Sequence, residues 1–203
     1  MLVLPALALI VAYLVGGVPF GFLLVKWKTG RDVREMGSGN IGATNVLRTS
    51  GRAAGVVVLL LDIAKGWLAV WIAARLTEGN VFWMCAAALA VIAGHAFPPL
   101  LKFRGGKAVA SFIGAFLYLA PWPLFATLLL FVIVVAKTRF ISLGSVVAAG
   151  SFPFAVWLIN HPPLPVFVAA LTAGAFIVYR HRENLARLRT GTESVFSFRG
   201  KRS

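Results

Sequence analysis

Seven long apolar runs follow one another along the chain, separated by shorter segments rich in glycine, proline, amides and basic residues. They cover positions 2–25, 53–76, 81–101, 108–120, 124–136, 141–159 and 166–179. An α-helix needs about 20 apolar residues to cross the hydrocarbon core of a bilayer. The pattern predicts an all-α polytopic membrane protein with about seven transmembrane helices. Runs 108–120 and 124–136 are short, and reading them as re-entrant pieces gives a five-helix alternative with the same sidedness. Pro19 predicts a kink in the first helix. Pro121 and Pro123 predict a turn between the fourth and fifth, and the proline-rich segment 160–165 a turn before the seventh.

Composition supports this reading and narrows it. Hydrophobic residues make up 60% of the chain and charged residues 13%, with a mean hydropathy of +0.88. Soluble domains run at roughly 45–50% apolar and about 25% charged. Spanning uses most of the 203 residues, so residues 1–193 form one integral membrane domain and 194–203 read as a disordered basic tail. The net charge of +14 is not the footprint of a nucleic-acid-binding protein. Eighteen of the 20 lysines and arginines lie after the first, third and fifth runs or in the tail, leaving only Lys65 inside a run and Arg75 toward the other face. By the positive-inside rule the amino terminus is outside and the carboxy terminus cytoplasmic. Cys85 stands alone in an apolar run, so no intrachain disulfide forms. The first run lacks a basic leading region and a small-residue cleavage site, so it reads as a retained helix, not a signal peptide.

The topology brings three polar segments to the cytoplasmic side. The first, 37–48, holds Gly37, Ser38, Gly39, Asn40, Gly42, Thr44, Asn45 and Arg48. Its glycines permit close backbone approach, its N–H groups can form an anion-binding concavity, and Arg48 adds a bidentate fork suited to phosphate. It lacks the lysine–hydroxyl ending of a nucleotide-binding P-loop and the strand–turn–helix context of a dinucleotide site. The bland alternative is a flexible connector in which Ser38 or Thr44 caps a helix. The second segment runs from His95 through Arg104, Gly105 and Gly106 to Lys107, and the third contains Arg180, His181, Glu183, Asn184 and Arg187. Topology needs only basic residues. The added hydroxyls, amides and imidazoles point to a site for phosphate-bearing ligands.

Asp62 and Lys65, three apart in the second run, share a helical face and can pair. Their reading is a structural ion pair, with substrate contact as the alternative. His95, His161 and His181 have no closely spaced second ligand, so no metal site is expected, and turnover should not need a divalent metal. No nucleophile elbow occurs, and no carboxylate–histidine pair is evident. A small transporter of a phosphorylated metabolite is the rival function, disfavoured because the polar groups gather on one side.

Residues 36–48, 94–98 with 103–110, and 180–184 with Arg187 resemble the three motifs of the bacterial acyl-phosphate:glycerol-3-phosphate acyltransferases, the PlsY family; 62–66 also fits that family's second helix. The resemblance covers nearly the whole chain. It implies a seven-helix enzyme of the inner membrane with a cytoplasmic active site. Such enzymes transfer a fatty acyl group from acyl-phosphate to the 1-hydroxyl of sn-glycerol 3-phosphate in the first step of phospholipid synthesis. The products are lysophosphatidic acid and inorganic phosphate. The implied partners are both substrates, membrane lipids and an upstream enzyme that makes acyl-phosphate, with no cofactor. Carried onto this sequence, Ser38, Arg48, Lys107 and His95 are the catalytic candidates. Gly39, Asn40, Gly42, Thr44, Asn45, Arg104, Gly105, Gly106, His181 and Asn184 are the substrate-binding candidates. Acyl-phosphate is already activated, so direct transfer without an acyl-enzyme is expected. The base stays open between His95, His181 and the substrate's own phosphate, with the last favoured.

Overall fold

The computed structural model describes residues 2–196, and every regular element among them is helical. The helices are α1 Val3–Gly16, α2 Phe20–Thr29, α3 Ala43–Ser50, α4 Arg52–Leu76, α5 Val81–Ala96, α6 Val109–Leu119, α7 Pro121–Thr138, α8 Ile141–Asn160, α9 Leu164–Arg180 and α10 Arg182–Arg189. Short 3-10 turns at Val33–Glu35 and Pro99–Leu101 lie in the first two polar segments. The chain divides into two compact units, one ending at Leu119 and the other beginning at Ala120.

Five helical segments are long and apolar enough to cross a membrane: Val3–Thr29, Arg52–Leu76, Val81–Leu101, Pro121–Thr138 and Ile141–Asn160. The pair α9 and α10, bent by 51°, makes a sixth if the two count as one broken span, and α6 is a shorter apolar helix of 11 residues. Large apolar side chains such as Leu60, Leu129 and Leu158 point outward. Much of the helix contact in the first unit is made by alanine and glycine. This is the arrangement of a protein whose solvent is lipid, where helix association relies on close packing rather than on burying leucine.

In the first unit, α1, α4, α5 and α6 meet around Ala8, Ala12, Ala69, Ala73, Ala87, Ala88 and Ala115. The closest approach is between α4 and α6. A Cβ at Gly114 would overlap the Ile63 carbonyl, and one at Gly66 would overlap that of Ser111. A second cluster joins Val25, Val33, Ile41, Val46, Ala54, Val58 and Leu101. It packs the Ser38 segment against α2 and α4, and it includes Leu101 at the start of the second glycine-basic segment.

The proline readings need correction. Pro121 and Pro123 do not turn the chain but start α7, which therefore runs 18 residues. Pro165 likewise falls in the first turn of α9, not in a turn before it. A proline costs a helix nothing in its first turn, where the N–H has no intrahelical partner. Pro153 sits inside α8 without ending it. The kink expected at Pro19 is a full break between α1 and α2. Half of the segment read as a loop is helix: α3 begins at Ala43, so Thr44, Asn45 and Arg48 are helical residues. In the second unit, α7 packs on α8, α8 on α9, and α10 against both α8 and α9. Phe196 N–H donates to the Arg139 carbonyl at 2.8 Å. Residues 197–203, the rest of the expected tail, lie outside the described residues.

Candidate functional site

The Ser38 segment is ordered by one side chain. Asn45, buried on the first turns of α3, donates from Nδ2 to the carbonyls of Asn40 at 2.8 Å, Met36 at 2.9 Å and Val33 at 3.3 Å. Its Oδ1 accepts the Ser38 N–H at 2.9 Å. Asn40 Oδ1 accepts the Gly42 N–H at 2.8 Å, and Gly39 N–H donates to the Met36 carbonyl at 3.0 Å. The concavity of N–H groups expected from the glycines is therefore not available at Ser38, Gly39 or Gly42, whose amides are used within the loop. Asn40 and Asn45 build the loop, and Ser38 stands exposed on a fixed backbone. Arg48 follows Asn45 by one turn on α3 and is exposed, while Thr44 is half-buried. Gly37 has φ +58°, a left-handed turn in which an added Cβ would overlap Asn45 Oδ1. At the entry to the loop, Asp32 accepts the backbone N–H of Arg34 and pairs with its guanidinium at 2.6 Å. The hydrogen bond from the Arg34 side chain holds the Asp32 carboxyl below the usual range.

Beneath the second segment lies a buried polar cluster. Lys65 Nζ is 2.8 Å from Asp62 Oδ1 and donates to the Val18 carbonyl at 2.8 Å, at the break between α1 and α2. The pairing read from sequence is thus present, and it is not isolated. His95 Nδ1 lies 3.6 Å from the same Asp62 oxygen and 3.2 Å from Ser111 Oγ on α6. This corrects the statement that no carboxylate–histidine pair exists: α4 and α5 bring together two residues that the sequence holds far apart. Ionisable groups at such depth cost roughly 2.5–3.5 kcal/mol each, so they persist where protein surrounds them. Asp62, Lys65, His95 and Ser111 are all buried. The next turns run over this cluster. Gly105 N–H donates to the Ala96 carbonyl and Gly106 N–H to that of His95, both at 3.1 Å. Arg104 is exposed, and Lys107 half-buried at the end of the turn.

In the second unit, His181 is buried at the bend between α9 and α10. Its Nδ1 is 2.8 Å from the Ile177 carbonyl. A carbonyl only accepts, so Nδ1 carries the proton and Nε2 is the unprotonated nitrogen of the neutral ring. Asn184 Nδ2 donates to Glu193 Oε1 at 2.6 Å, Ser142 Oγ donates to the same oxygen at 2.8 Å, and Arg187 Nε to Oε2 at 2.7 Å. Sequence reasoning named Glu183 as the acid of this segment. Glu183 is exposed, and the carboxylate around which the segment is organised is Glu193, which it passed over. The available signal was a lone acid in a basic stretch, two residues after Gly191, whose φ of +68° turns the chain back. Ser111 and Ser142 were also missed, although each is a hydroxyl within an apolar run. Among the described residues no group of three or more His, Cys, Asp or Glu is placed to hold a metal ion.

Two measurements check these assignments. Asn45→Asp keeps the acceptor for Ser38 N–H but turns an acceptor-only carboxylate toward three carbonyls. It should unfold in detergent well below wild type and below Asn45→Ala, by roughly 1–3 kcal/mol for the added repulsion and lost donors. Wild-type thermal stability in Asn45→Asp would contradict the scaffold role. For Glu193, burial pushes the carboxyl up, but the hydrogen bonds from Asn184, Ser142 and Arg187 outweigh it and hold the group below the usual range. A depressed folded value contributes stability above the unfolded value, and that stability is lost as pH falls through the folded one. The stability gap between wild type and Glu193→Gln should be full at neutral pH and close below about pH 4. A pH-independent gap would remove the charge from the account.

Comparison with known proteins covers all three polar segments except Glu193. A family model described as glycerol-3-phosphate acyltransferase matches residues 6–191. A glycerol-3-phosphate acyltransferase of Geotalea daltonii is 45% identical over 185 residues, 91% of this chain and 94% of that protein. One from Bordetella pertussis is 43% identical over 195 residues, covering 92% and 89%. The crystal structure of PlsY (YgiH), an integral membrane glycerol 3-phosphate acyltransferase, in its glycerol 3-phosphate form is 36% identical. It matches with a TM-score of 0.90 over 95% of this chain and 96% of that one. Its lysophosphatidic acid form matches with a TM-score of 0.86 at 35% identity, over 95% of each chain. With sequence, helical architecture and near-complete coverage in agreement, this chain belongs to the PlsY family of integral membrane glycerol-3-phosphate acyltransferases.

Proposed function

We propose that this acyltransferase takes its acyl group from acyl-phosphate and delivers it directly to the 1-hydroxyl of sn-glycerol 3-phosphate, with both substrates bound together. The hydroxyl oxygen attacks the acyl carbonyl carbon, the bond from that carbon to the phosphate oxygen breaks, and inorganic phosphate leaves carrying the hydroxyl proton. The phosphate is a good leaving group, so the protein supplies alignment and charge. Ser38 Oγ donates a hydrogen bond to a phosphate oxygen, and Arg48 and Lys107 stabilise the charge on the phosphates. The observation that carries this reading is the cluster of Val33, Ile41, Val46 and Leu101. It packs the rigid Ser38 segment beside the start of the turn that ends in Lys107. PlsY structures with glycerol 3-phosphate and with lysophosphatidic acid support the same acceptor and product. Acyl-phosphate then has to come from an enzyme that phosphorylates a free fatty acid or phosphorolyses an activated acyl thioester.

Arg48→Ala and Lys107→Ala should each lower phosphate release from acyl-phosphate and glycerol 3-phosphate by roughly 10- to 100-fold, the worth of one charge-assisted hydrogen bond. Intact-protein mass spectrometry after exposure to acyl-phosphate alone should show no adduct. Near wild-type rates in both variants would remove these cations from the site. An acyl-Ser38 species discharged by glycerol 3-phosphate would replace direct transfer with a two-step mechanism.

We place the protein in the bacterial inner membrane. The five spanning segments, the bent pair and α6 are proposed to make seven crossings, with the amino terminus outside and the site facing the cytoplasm. The distribution of lysine and arginine supports this orientation. A carboxy-terminal reporter that works only outside the cytoplasm should stay silent; a signal from it would reverse the orientation.

A further inference from the structure

We infer that Asp62 is a positioning residue for acyl transfer: acting through the His95 imidazole, it sets the Gly105–Gly106–Lys107 turn. The inference rests on the reading of Lys107 as a phosphate-binding cation.

The geometry runs in one line through the first unit. Lys65 is fixed by the Val18 carbonyl at 2.8 Å and lies over the Phe20 ring at 5.5 Å, so one end of the cluster is anchored at the α1–α2 break. Asp62 stands between this ammonium and His95. The Nδ1 edge of the ring faces Asp62 and Ser111. The opposite edge is the floor under Gly106, where an added Cβ would overlap Nε2. The backbone repeats the connection, because the His95 and Ala96 carbonyls accept the Gly106 and Gly105 N–H groups. Any rotation of the imidazole is therefore a displacement of the turn that carries Lys107.

The turn needs such support. Lys102, Phe103 and Ala108 all have positive φ, at 52°, 61° and 62°, and none is glycine. Left-handed backbone at non-glycine residues persists only where the surroundings over-determine it. Here the surroundings are the end of α5 and the His95 ring. A buried ring with protein groups against both edges is suited to holding, not to collecting a proton from a substrate hydroxyl. A role confined to stability would not require the charges, since a buried ion pair is commonly replaced by apolar residues of similar volume without loss.

The test measures phosphate release from palmitoyl phosphate and glycerol 3-phosphate, with thermal unfolding recorded for every variant. Asp62→Asn alone strands the Lys65 ammonium, so the informative variant is Asp62→Asn with Lys65→Met, which removes both charges. It should unfold near the wild-type temperature while kcat falls at least 10-fold, more than KM rises. His95→Gln keeps a neutral amide that can hydrogen-bond toward Asp62 and lie under Gly106, but it cannot act as a base. It should keep at least a tenth of kcat, whereas His95→Ala should lose more than 10-fold, up to the loss seen in Lys107→Ala. A stable double variant with wild-type kcat would reduce Asp62 to a structural role. Folded His95→Gln as inactive as His95→Ala would make the imidazole a proton acceptor. Either result overturns the inference, and if the double variant does not fold, the two His95 variants decide it. Wild-type turnover in Lys107→Ala would instead overturn the underlying reading of the site.

Discussion

A carboxylate and an ammonium placed inside an apolar bundle must be surrounded, because lipid offers them nothing. In the first unit Asp62 and Lys65 are both almost fully buried, and their partners come from two other places, the Val18 carbonyl at the α1–α2 break and His95 on α5, which in turn meets Ser111 on α6. The approach of those partners depends on helices that nearly touch. Gly66 and Gly114 let the α4 and α6 backbones meet, and alanines line the contacts of α1 and α5. Small residues in the core and charges at its centre are one solution. The small residues bring the backbones close, and the closeness satisfies the charges.

The polar residues divide by what they hold. Asn45 uses both ends of its amide on the backbone of the Ser38 segment, and Glu193 gathers Ser142, Asn184 and Arg187 around one carboxylate. Both are buried groups whose hydrogen bonds are made inside the protein. Ser38 is exposed on the segment that Asn45 keeps still, and Arg48 is exposed further along α3. Rigid presentation of a few exposed donors is what the proposed transfer from acyl-phosphate would ask of its enzyme. A loop of three glycines would be a poor platform without Asn45 to fix it.

Much of this protein was legible without coordinates. The apolar runs and the one-sided basic clusters are local properties, so the helical membrane class followed from them. The family that the motifs resemble is the one to which the comparisons assign the chain. Helix ends were read less well, because a proline in a first turn and a proline in a loop look alike in sequence. Thr44, Asn45 and Arg48 were read as loop for a related reason: eight residues between glycines give too short a periodic signal to separate α3 from its surroundings.

The all-helical membrane class, the three polar segments and the Asp62–Lys65 pairing could be read from the chain alone, since each depends on neighbours a few residues apart. Only the tertiary structure decided which polar residues act as scaffold and which face outward. Lys65 reaches a carbonyl 47 positions away, and His95 meets Ser111 16 positions on. Such contacts depend on how far each helix is rotated and how deeply it packs. Those are set by glycine and alanine contacts across the bundle, and no local window of the sequence records them.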